Sequence, residues 1–120
     1  MVMPSNLLIE LGNKGVDIEH TLARFMNKEA LFEKFLYKFL EDDNFKNYME
    51  NLAKKDYKEA LINIHTLKGV TANLGMNNLF KISEQIVIDI RAEKYDNLEE
   101  LSKELEKEYN IVCDVIKNNK

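Results

Sequence analysis

The sequence predicts an all-α protein: an antiparallel up-and-down four-helix bundle preceded by a short extra N-terminal helix. Three observations carry this. Apolar residues recur at three- and four-residue steps along most of the chain, as one face of a helix requires. The breaks between these stretches are brief, and brief connections make neighbouring helices run opposite ways. No stretch alternates apolar and polar residues as a half-buried strand does.

Residues 1–16 hold the single proline, Pro4, and the turn-like Gly12-Asn13-Lys14-Gly15, so they read as an irregular lead-in. Leu7, Leu8, Ile9 and Leu11 are apolar enough for part of it to pack back on the bundle. Residues 17–120 form the domain proper. Asp17 offers an N-cap, and Ile18, Leu22, Phe25 and Met26 space a short first helix. His20 falls on its opposite, solvated face.

Asn27 is placed to cap the next segment, whose stripe of Leu31, Phe32, Phe35, Leu36 and Phe39 resumes at Phe45, Tyr48, Met49 and Leu52. Glu41-Asp42-Asp43-Asn44 interrupts it as a polar turn or kink. These acids lack the ligand spacing of a calcium loop, and the aromatic run reads as core. Asp56 caps a third helix from Tyr57 to about Leu74. Asn77 or Asn78 is placed to cap a fourth with Leu79, Ile82, Ile86 and Ile90 on one face. The last helix carries Leu98, Leu101, Leu105, Tyr109, Val112 and Val115 or Ile116, before a polar tail.

With 120 residues, 45% hydrophobic and 32% charged, the chain can bury one core. A net charge of −4 argues against nucleic acid as the main partner. Cys113, the single cysteine, excludes an internal disulfide and reads as a small apolar group in the last helix. There is no run of apolar residues long enough for a membrane span, and Met1 to Leu11 lacks the marks of a signal peptide. The expected location is the cytoplasm, and the expected state a monomer.

The chemistry concentrates in the third helix. On a wheel of about 100° per residue, Ala60, Leu61, Ile64, Leu67, Thr71 and Leu74 gather as the core face, with His65 at its edge. Lys68 and Gly69 lie one turn beyond His65 on the same side, and Ala72 follows. A glycine inside a helix costs on the order of 1 kcal/mol relative to alanine, so something other than helix formation wants the missing side chain. Thr66 and Ile62 lie further round. The surface beside the imidazole is therefore small or flat, with one exposed aliphatic, as a docking face would be. Gly75 suits the left-handed position that ends helices.

The run His65-Thr66-Leu67-Lys68-Gly69, followed six residues later by Gly75, resembles the signature of the histidine-containing phosphotransfer (HPt) domain. The resemblance extends from about Gly15 to the C-terminus in the order of helical segments and in the opening Gly15-Val16-Asp17-Ile18. It implies a phosphorelay carrier, with His65 as phospho-acceptor between the aspartates of response-regulator receiver domains. Those receivers, or a hybrid sensor kinase, would be the partners, and Mg²⁺ would come with the receiver. Lys68 would offset phosphoryl charge. Gly69, with Ile62, Thr66, Ala72 and Asn73 around it, would admit the partner. Arg91, in a region where the family often carries a basic residue, would be a second charge. Family members often orient the imidazole with a glutamine on the fourth helix. Here Val87 stands at that spacing, and Gln85 lies two positions earlier.

The chain has no glycine-rich phosphate loop and no room for an ATP-binding domain, so autokinase activity is not expected. Two rivals remain at this level: a helical adaptor that docks receivers without transferring phosphate, and a metal or enzymatic site built on His65. The second lacks any carboxylate, cysteine or second histidine at ligand spacing on the same face.

Overall fold

The computed structural model describes residues 5–120. Their helices are α1 (Asn6–Asn13), α2 (Ile18–Arg24), α3 (Glu29–Phe39), α4 (Asn44–Ala53), α5 (Tyr57–Asn73), α6 (Asn77–Arg91) and α7 (Leu98–Asn118). The described residues contain no strand, only an isolated antiparallel bridge between Val16 and Met76. The class is all-α, as the period predicted.

One expectation is corrected at the start of the chain. The stretch before Asp17 is not irregular, because α1 occupies most of its described part. Ser5 caps it through a bond from the Leu8 amide (3.4 Å), and Leu7, Leu8 and Leu11 supply a buried stripe. The Gly12–Gly15 turn ends this helix rather than replacing it, with Gly15 at φ 95°. Pro4 lies outside the described residues. The Ser5 amide donates to Glu29 of α3 (2.8 Å), and Asn119 donates to Glu10 (2.8 Å). Helix α1 packs on α7 and shares the common core.

Two expected caps also differ. Asn27 takes φ 57° beside Met26 at the same angle, so it forms the turn between α2 and α3; Lys28 precedes α3 without a side-chain cap. Asn77 is the first residue of α6, with Met76 before it. The acidic turn does break the aromatic stripe into α3 and α4, with Asp42 accepting from the Asn44 amide at 2.9 Å. Asp17 and Asp56 cap α2 and α5 as expected, through the amides of His20 and Glu59.

Helix α5 is the centre of the packing, flanked by α4 on one side and α6 on the other, with α7 against α6. Phe32, Leu36 and Phe39 are buried, and Tyr109 of α7 stacks on Phe45 at 4.1 Å between centroids. A pair of polar side chains lies deep in the apolar interior: the Tyr48 hydroxyl, 2.7 Å from Ser102 Oγ. The molecule is elongated, 50 × 24 × 20 Å.

Candidate functional site

The face that α5 buries is close to the predicted one. Ala60, Ile64, Leu67, Thr71 and Leu74 are buried, and Leu61 partly so. The Thr71 hydroxyl is satisfied inside its own helix by the Leu67 carbonyl (2.9 Å). This leaves His65, Thr66, Gly69, Ala72 and Asn73 exposed, with Ile62 at 53%.

The flank of α5 that carries Asn63, Val70 and Leu74 faces α4 and α3. Asn51 of α4 donates to the Asn63 side chain at 2.8 Å, and Val70 and Leu74 border a cavity with Phe35 and Phe39 of α3. By the helical wheel, His65 lies on the other flank, with Leu61, Lys68 and Ala72, beside α6. Lys68 is half-buried and has no carboxylate within ion-pair distance among the described residues. The Thr66 hydroxyl donates back to the Ile62 carbonyl (3.0 Å), so its proton is already used within the helix.

Gly69 and Gly75 contrast sharply. A β-carbon at Gly69 would meet nothing within 4 Å, so no contact among the described residues requires its absence. At Gly75, φ is 70°, and a β-carbon would run into the Thr21 side chain and the Asp17 carbonyl. The Gly75 amide bonds to Ala72 (3.3 Å) and the Met76 amide to Thr71 (2.9 Å), which is the paired bonding that closes a helix over a left-handed residue. The Asp17 amide then bonds to the Gly75 carbonyl (2.9 Å). Gly75 is where α2 seats on α5.

The three-residue connection Leu74–Met76 makes α5 and α6 antiparallel, so the residue level with His65 is about as far beyond the turn as His65 is before it. That residue is Gln85. Its amide donates to Asp89 of its own helix (2.9 Å). Val87 is buried, at 1%. No side-chain hydrogen bond to the His65 ring exists among the described residues. Arg91 is exposed at the last turn of α6, about 9 Å further along the axis than the level of His65 at 1.5 Å per residue. The fold therefore brings Lys68 and Gly69 beside His65, and leaves Arg91 further away.

Arg24 was not anticipated. Its guanidinium reaches from α2 to the Ala72 and Asn73 carbonyls (3.0 and 3.2 Å), satisfying the C-terminal end of α5 beside two of the predicted docking residues. Nothing in the local sequence signals a cap supplied from another helix. His20 is exposed, and its ring lies 2.9 Å from Asp17; the His20 amide, chiefly, holds the Asp17 carboxyl below its usual value.

Among the described residues no cluster of His, Cys, Asp or Glu is arranged to hold a metal ion, and no helix is long and apolar enough to cross a membrane. In comparisons with known protein families, with curated proteins and with solved structures, the chain matches none. The class defined by fold and site is an all-α protein with an exposed histidine and an open glycine on its central helix.

Proposed function

We propose that this protein is a histidine phosphotransfer carrier of a two-component phosphorelay, working in the cytoplasm as an antiparallel four-helix bundle with α4 to α7 as its body. The observation that carries the reading is Gly69: a glycine in mid-helix, one turn from an exposed histidine, with open space where its side chain would be. Its cost to the helix, about 1 kcal/mol, is offset by nothing inside the fold. An incoming surface is what benefits.

In the transfer, a ring nitrogen of His65 attacks the phosphorus of a receiver's aspartyl phosphate. The N–P bond forms as the P–O bond breaks, and the electron pair leaves with the aspartate carboxylate. The reverse step loads a second receiver. Catalysis of this kind is mostly positioning and charge stabilisation. Lys68 supplies a cation without a competing carboxylate, while the receiver contributes Mg²⁺ and the acceptor aspartate. Arg91 is a second cation only if a partner brings the phosphoryl group toward the far end of α6. Gly69, Thr66, Ala72, Asn73 and Ile62 form the contact face. The protein is a carrier, not an enzyme with its own substrate turnover.

A specific observation favours a second reading, a receiver-docking adaptor without transfer: Val87 is buried where a ring-orienting amide is expected, and Gln85 is tied to Asp89. The experiment that separates them is incubation with a panel of aspartyl-phosphorylated receivers, comparing the chain with His65→Gln. Acid-labile, base-stable phosphate on the unaltered chain alone supports the carrier. Binding without labelling in either form supports the adaptor.

A further inference from the structure

A cavity of ≈ 500 Å³ opens between α2, α3 and the C-terminal end of α5, within the size range of small-molecule sites. It lies on the α3 side of α5, away from the flank that carries His65. Its apolar wall is Phe25, Phe35, Phe39 and Leu74. Phe25 sits between two other rings, 5.3 Å from Phe32 and 5.4 Å from Phe35, so the wall is a fixed aromatic surface. Phe35, tilted at 38° to the Phe25 ring, is 40% exposed.

Two cations border the same space, Arg24 and Lys38. Lys38 Nζ stands 5.4 Å from the Phe35 ring centre, and neither cation has a carboxylate within ion-pair distance among the described residues. Arg24 uses Nη2 for the α5 carbonyls, which leaves its other nitrogens as donors. Asp42 also borders the cavity and keeps its charge, with its Oδ1 accepting from the Asn44 amide and side chain at the start of α4, so the rim holds two cations against one carboxylate. In a chain of net charge −4, a fixed aromatic wall with two unpaired cations at its edge is complementary to one kind of molecule.

We propose that this cavity binds a small amphiphilic anion, an aryl or acyl carboxylate, with its apolar body against Phe25, Phe35 and Leu74 and its carboxylate toward Lys38 and Arg24. The anion supplies a direct ion-pair partner that neither cation has among the described residues, and its body covers the exposed edge of Phe35. The site is independent of phosphoryl transfer at His65 and stands or falls separately from it.

The test is amide NMR of the full chain titrated with 1-naphthoate, with 1-naphthalenemethanol as the neutral control. Naphthoate should saturate at about 1 mM or below, shifting amides of α2, α3 and Val70–Leu74. It should bind about fivefold more tightly than the alcohol, the advantage of one or two partly exposed ion pairs. Lys38→Glu, a change at an exposed position, should abolish that preference while leaving the fold spectrum intact; Phe35→Ala should weaken both probes. Shifts scattered over the surface, equal affinity for acid and alcohol, or no saturation would overturn the proposal. So would loss of receiver binding in Lys38→Glu without any naphthoate binding, which would make the groove a protein contact.

Discussion

Replacing by alanine the glycine inside α5, Gly69, and the one just past its C-terminal cap, Gly75, should have opposite effects, and the structure fixes both signs. At Gly69 the helix is open above the α-carbon. Gly69→Ala therefore adds no clash and removes a helix-interior glycine, a gain of about 1 kcal/mol. For a domain of this size that raises the thermal midpoint by about 3–5 °C. At Gly75, alanine must hold φ near 70°, which costs roughly 1–2 kcal/mol. It must also push the Thr21 side chain and the Asp17 carbonyl aside, loosening α2 from α5. Gly75→Ala should therefore lose at least about 2 kcal/mol. Urea denaturation of the two variants reads both. Phosphotransfer then distinguishes stability from docking: Gly69→Gln, as good a helix former, should keep the added stability and slow transfer by about tenfold or more, the effect of 1–3 kcal/mol of steric conflict at the contact. A destabilised Gly69→Ala would mean that the glycine serves internal packing. Unimpaired transfer by Gly69→Gln would mean that no partner approaches there.

Other expectations follow from single groups. Tyr48→Phe leaves Ser102 Oγ unpaired in the core and should cost about 1–2 kcal/mol; adding Ser102→Ala should recover part of this in the same denaturation assay. Ser83 Oγ is buried with no hydrogen-bond partner among the described residues, so Ser83→Ala should be neutral or stabilising by up to about 1 kcal/mol, and a marked loss of stability would reveal a hidden partner. The Asp17 carboxyl titrates below its ordinary value of 3.8, held down first by the His20 amide. Its contribution to seating α2 is thus fully present above that value and is lost as pH falls through the folded-state value; acid titration of the His20 amide shift should follow this, and Asp17→Asn should remove the step.

The helices from α2 onward lie on apolar stretches of helical period, although α3 and α4 read as one stripe interrupted by the acidic turn and α2 ends at Arg24, before Phe25 and Met26; α5 showed its core stripe almost residue for residue. Helix α1 was missed because proline and glycine crowd a segment only two turns long, and its leucines find their partner in α7, at the other end of the sequence. The cap assigned to Asn27 went astray because asparagine suits both a cap and a left-handed turn, and Asn27 takes the turn, whereas the cap assigned to Asn77 or Asn78 failed because α6 already begins at Asn77. At the site, His65, Lys68 and Gly69 share a face by spacing alone. The openness above Gly69, the separation of Arg91 along α6 and the reach of Arg24 from α2 are facts of packing that no local pattern carries.

The central claim is tested most directly by following phosphate from aspartyl-phosphorylated receiver domains onto the chain and onto His65→Gln. The account predicts rapid, acid-labile labelling of the unaltered chain, and none in the variant, with both equally folded because His65 is exposed. Labelling that persists in His65→Gln, or a chain that binds receivers yet never accepts phosphate, would contradict it.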